Sequence, residues 1–180
     1  MQSREFLQEV LKQYEGTFDL YVPYTLKEDT YDAYGYFYSC IEKYMLTRGT
    51  QMWKADSYEH VLFLCREQPT KEDADKIQNV FRNDMEPVLV RKGELTMPKD
   101  HMCSYMTVVL LCDNIPDLDI VRRMRRIRFL RHYKLDIRGY SEARVVIVDI
   151  KNQKVYSNWA GRSMNKFYRG LLKTYAQASK

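Results

Sequence analysis

The chain has 180 residues, 45% apolar and 29% charged, which is enough to bury one core and too mixed for a disordered or fibrous protein. No run approaches the roughly 18 consecutive apolar residues of a membrane span, and Met1-Gln2-Ser3-Arg4-Glu5 lacks the apolar stretch of a secretory leader. The net charge of +5 hides a division: residues 1–119 hold 13 Lys+Arg against 21 Asp+Glu, while residues 120–180 hold 16 against 3.

In chain order, Phe6, Leu7, Val10, Leu11 and Tyr14 recur at helical spacing, with Ser3 placed to cap and Gly16 to stop, which predicts a helix over 1–16. Residues 17–30 read as a loop. A hairpin is predicted over 31–55. Its first strand alternates Ala33, Gly35, Phe37, Ser39 and Ile41 with Tyr34, Tyr36, Tyr38 and Cys40, Arg48-Gly49 turns the chain, and a second strand lies around Gln51–Lys54.

Two strand–helix units are predicted over 57–134. Residues 57–69 (SYEHVLFLCREQP) and 104–116 (SYMTVVLLCDNIP) match at six positions, 47 residues apart. Each pairs an apolar strand with a helix. The first helix carries Ala74, Ile77, Val80, Phe81 and Met85 and is expected to stop at Pro87. The second carries Val121, Met124, Ile127, Leu130 and Tyr133. Such units imply parallel strands ending at one edge, where ligands commonly bind. A hairpin follows over 143–158, then a helix over 162–177 with Met164, Phe167, Tyr168, Leu171, Leu172 and Tyr175 on one face. The predicted fold class is α+β (mixed α/β): one domain over 1–180, a mixed β-sheet with two strand–helix repeats, N- and C-terminal hairpins, and terminal helices packed on it.

Cys40, Cys65, Cys103 and Cys112 form no CxxC pair and no disulfide-scaffold spacing, which points to a reduced, cytoplasmic setting. The stretches His60–Cys65, Arg144–Asp149 and Val155–Arg162 resemble a group of uncharacterised bacterial proteins of the Gram-positive type. The resemblance covers most of residues 30–170 and implies no function.

The clearest functional signal is the run 121–134, which holds six arginines and a lysine without an acid. Arg122, Arg123, Arg125, Arg126 and Arg128 on one helix repel each other, so an anion must offset them. Nucleic acid phosphates are one source, since arginine presents a fork of donors. Carboxylates are the other, either from the neighbouring helix (Glu72, Asp73, Asp75, Asp84, Glu86), from an acidic protein partner, or from a second copy in a homo-oligomer. Arg162, Lys166 and Arg169 form a second basic patch. The expectation is therefore a non-enzymatic binding protein with a basic surface, no cofactor, no bound metal and no membrane contact.

The alternative is enzymatic. Asp136 with Asp149-x-Lys151 resembles the restriction-endonuclease-like superfamily, in which such carboxylates hold Mg²⁺ and the lysine positions the attacking water. Here Leu135 stands where that superfamily places a proline. A third candidate is a strand-end site at Cys65, Cys112 and Asp113, against which stands the ordinary burial of cysteine in cores. The tyrosines 34, 36 and 38 could stack bases, although a half-buried sheet face suits their acidic surroundings better. No P-loop, dinucleotide fingerprint, nucleophile elbow or zinc motif is present.

Overall fold

The computed structural model describes residues 1–44 and 51–178. Its centre is three strands, β5 (Gln51–Arg66), β6 (His101–Cys112) and β8 (Tyr140–Asp149), paired in parallel in that order. Their later portions, residues 61–65, 108–112 and 145–148, read as unbroken apolar runs because both faces are covered there. Leu62, Leu64, Val108, Leu110, Val145 and Ile147 enter one core, while Val61, Phe63, Val109, Leu111, Val146 and Val148 enter the other.

The first core is roofed by α2 (Lys71–Val80), a π-helical segment Phe81–Val90 and α3 (Leu118–Arg125). The second is roofed by α1 (Gln2–Tyr14) and α4 (Asn165–Ala178), whose Tyr14 and Tyr168 hydroxyls bond at 2.9 Å. The terminal helices thus pack onto the sheet, as expected, and they also touch each other. On the β5 side the sheet continues antiparallel through β4 (Ala33–Tyr44) and β1 (Asp19–Tyr21). On the β8 side, β7 (Leu130–His132) pairs the beginning of β8 and β9 (Lys154–Ser157) pairs its end. The result is a single mixed α+β domain. No helix among the described residues is long and apolar enough to cross a membrane.

Several local expectations are corrected. The hairpin and the first strand–helix unit are not separate, because β5 runs unbroken for 16 residues and serves both. The turn at Arg48-Gly49 lies outside the described residues. The stretch 17–30 is not plain loop: it contains β1 and a small hairpin of β2 (Tyr24–Leu26) and β3 (Asp29–Tyr31). Ser3 lies inside α1 rather than capping it, and its N–H donates to Asp113 Oδ1 at 2.6 Å. Asp113 thereby satisfies one of the orphan donors at that helix end.

Pro87 does not stop its helix. The chain widens into the π-helix, where Arg91 N–H reaches back five residues to the Glu86 carbonyl at 2.9 Å, and the broader turn leaves room for the proline ring. The second amphipathic helix is shorter than 121–134. It ends at Arg125, and Leu130–His132 forms a strand instead. The beginning of β8 offers an unpaired edge there, and ladder hydrogen bonds to it outcompete a helix loaded with like charges.

Candidate functional site

Ten residues line a groove of about 610 Å³, and five of them are cations: Arg125, Lys154, Arg162, Lys166 and Arg169. No carboxylate among the described residues lines it. Arg125 comes from the end of α3, Lys154 from β9, Arg162 from the 3₁₀ turn Ala160–Met164, and Lys166 and Arg169 from the start of α4. All five are exposed, and among the described residues none has a carboxylate within ion-pair distance.

A buried corner holds these elements in place. Asn158 Oδ1 accepts from Val145 N–H at 3.0 Å and Gly161 N–H at 2.9 Å, while Nδ2 donates to the carbonyls of Ile127 at 3.1 Å and Ala143 at 3.0 Å. One amide therefore ties β8, the end of β9, the chain after α3 and the 3₁₀ turn together. Gly161 is required there, because a Cβ would lie 2.8 Å from the Val145 carbonyl oxygen. Arg125 adds a longer bond from Nε to the Ser157 carbonyl, 3.4 Å. The same corner leaves Trp159 67% exposed beside a second groove, which Arg128 also lines.

The electrostatics separate the two basic patches. Arg122, Arg123 and Arg125 occupy the last turn of α3, where the negative end of the helix dipole welcomes cations. Lys166 sits in the first turn of α4, with Arg162 just before it and Arg169 just after, where the positive end repels them, and that turn carries no acid. The cations on α3 are therefore partly explained by the fold. Those on α4 are not.

Carboxylates account for some of the remaining arginines. Arg122 pairs with Asp119, and Arg123 with Asp75 across the α2–α3 contact. Arg131 reaches Glu86, which is 1% exposed and also takes a two-pronged bond from Arg91 (2.7 and 3.1 Å) and one from the Tyr133 hydroxyl (2.9 Å). Burial, chiefly, pushes the Tyr133 phenol up to about 12. Arg126 and Arg128 have no such partner among the described residues and, with Arg122 and Arg123, flank a third groove of about 670 Å³.

The other candidates disperse. Asp136 lies in the turn before β8 and bonds His132, whereas Asp149 ends β8, so a strand of ten residues, about 30 Å, separates them. Asp149 is buried and braces the following turn by accepting from Asn152 N–H and Nδ2; Lys151 is exposed beside it. The three residues do not share one coordination sphere. Cys65 and Cys112 do not face each other either, because Cys65 pairs with Leu111 and Arg66 with Cys112. That register is one residue short of the sequence period, which puts the thiols on opposite faces of the sheet, both buried in core. Burial raises the Cys65 thiol to about 12. Among the described residues no three metal-ligating side chains gather at a point. Tyr34 is buried under Tyr24 in a stacked pair with centroids 4.3 Å apart, and so it packs the sheet face.

A family model described as "Domain of unknown function (DUF8052)" matches residues 2–170. The chain belongs to this family. No curated protein and no solved structure matched it. The match to the DUF8052 model spans the Asn158–Gly161 corner, α3 and the first turns of α4, so every groove cation lies inside the family domain.

Sequence reasoning had marked four of the five groove cations but assigned them to two separate patches. Lys154 and the Asn158 corner were missed. The signal available was the Asn-x-x-Gly spacing of Asn158 and Gly161, directly after a strand and directly before Arg162.

Proposed function

We propose that this DUF8052 domain is a non-enzymatic binding protein that holds single-stranded nucleic acid in the groove between β9 and the start of α4. The observation that carries this reading is the acid-free cluster of five cations, drawn from four elements and set against the positive end of a helix. Phosphates would relieve that repulsion, and each one neutralised releases counterions. Trp159, exposed on the adjoining corner, supplies an aromatic face for a base, which favours single strands over duplex.

The test is fluorescence anisotropy of labelled oligo(dT) and oligo(U) across a salt series. Binding should weaken with a log–log slope of about −0.7 per phosphate held. Arg162→Glu with Arg169→Glu should abolish it, and Trp159→Ala should cost about 1–3 kcal/mol with little change in slope. Arg123→Glu, on a residue already paired with Asp75, should leave it nearly intact. Absence of binding at low salt overturns the proposal. Concentration-dependent self-association in sedimentation, lost in the same double variant, would instead assign the face to a second copy.

A further inference from the structure

Another cavity is lined by residues remote in sequence from the basic groove. It measures about 270 Å³ and sits between β5 and the segment that follows the π-helix. Tyr58 and His60 from β5 line it, with Val90 at the end of the π-helix and Lys92, Thr96 and Met97 beyond. Ten residues of π-helix are a rare choice of backbone, and such widened turns concentrate at functional sites.

His60 is the informative residue. It is 2% exposed, and its Nδ1 lies 2.8 Å from the Tyr34 hydroxyl. Its Nε2 is equally buried and, among the described residues, has no hydrogen-bond partner. Burial, with a smaller push from the Lys92 charge, lowers its pKa to about 4, so the ring is neutral and carries a single proton. Two tautomers are conceivable, and hydrogen-bond accounting separates them. If Nδ1–H donated to Tyr34, both the phenol proton and the Nε2 lone pair would go unmatched. With Tyr34 donating to Nδ1, only one group, Nε2–H, is left over. A buried unmatched donor is costly, because it has given up its hydrogen bond to water for nothing in return. Because His60 lines the cavity, an acceptor that reached Nε2 from there would recover that energy.

The surroundings narrow the acceptor's chemistry. Lys92 is exposed at the rim, in a left-handed turn with Gly93 (φ 51° and 82°), and no carboxylate among the described residues lies within ion-pair distance of it. Arg91 also lines the cavity, but its guanidinium is committed to Glu86 and to the Glu94 carbonyl. Glu94 is the one acid on the wall, which disfavours a second negative charge on the occupant. Tyr58, Val90 and Met97 give an apolar slot.

We propose that this cavity is a binding site for a small flat monocarboxylate, whose oxygen accepts from His60 Nε2–H while Lys92 meets its charge. The apolar body of the ligand lies along Tyr58 and Met97.

The test uses benzoate as the probe, with isothermal titration and with NMR of the His60 ring nitrogens in the full chain. Benzoate should bind saturably and shift the Nε2 resonance. His60→Phe should weaken binding about tenfold or more. Lys92→Gln, on an exposed side chain whose loss leaves the fold intact, should weaken benzoate and leave neutral benzamide unchanged. Ring resonances unmoved by benzoate overturn the site, as does an affinity indifferent to His60→Phe in a variant whose circular dichroism matches the parent. Equal effects of Lys92→Gln on benzoate and benzamide overturn the carboxylate as the ligand class. Oligonucleotide binding is the control and should be unchanged by both substitutions.

Discussion

The surroundings of Glu86 and the groove beside α4 gather the same side chains for opposite ends. Around Glu86, Arg91, Arg131 and Tyr133 converge on a carboxylate that is almost fully buried. Around the groove, Arg125, Lys154, Arg162, Lys166 and Arg169 line a wall that holds no carboxylate among the described residues. The first arrangement is complete within the chain. The second leaves its cations without an ion-pair partner among the described residues. The number of arginines in a segment therefore says little, and the position of the carboxylates says most.

Three measurements test how far the two regions differ. The largest effect is expected from Glu86→Ala, which leaves Arg91 and Tyr133 without their buried acceptor. It should lower stability by about 3–5 kcal/mol in urea unfolding. A loss below about 1 kcal/mol would show that the cluster is as dispensable as an exposed pair.

Next comes pH, through a buried base that has no carboxylate partner among the described residues. His60 has a folded pKa of about 4 against an ordinary value of 6.5, so the unfolded chain binds the extra proton first. Its contribution is complete above about pH 6.5 and is lost as pH falls towards 4, amounting to about 3 kcal/mol. His60→Gln should flatten that part of the stability–pH curve, and an unchanged curve would contradict a neutral buried ring.

The smallest effect has the opposite sign. Lys166→Glu places an acid at the positive end of α4 and should stabilise the fold by about 0.3–1 kcal/mol at low salt, while weakening oligonucleotide binding. A destabilising result would mean that Lys166 already has a role within the fold.

Much of this architecture was legible in the sequence. Val61–Cys65, Val108–Cys112 and Val145–Val148 announce strands buried on both faces, and the face of α1 follows from the spacing of Phe6, Val10 and Tyr14. What escaped depends on distant partners. The helix after Asp117 stops at Arg125 because β8 offers an edge, and no local signal reports that edge. The continuation of the helix past Pro87 turns on backbone pairing five residues apart, against the usual meaning of proline. The groove needed Lys154 and Arg162 to meet Arg125 across a corner set by one asparagine. The arginine run marked the cations, but topology chose which of its members go without a carboxylate partner among the described residues.

The order of the central strands has a further consequence, for synthesis. The β4–β5 hairpin joins neighbours in sequence and can close early, exposing Val61–Cys65 along a free strand edge. The strand that covers this edge, β6, ends at Cys112, some 46 residues later. At about 5–20 residues per second, the ribosome leaves that apolar edge bare for roughly 2–9 s. The interval in which the nascent chain is most prone to stick to others, or to need a chaperone, is thus written into the parallel pairing of β5 with β6.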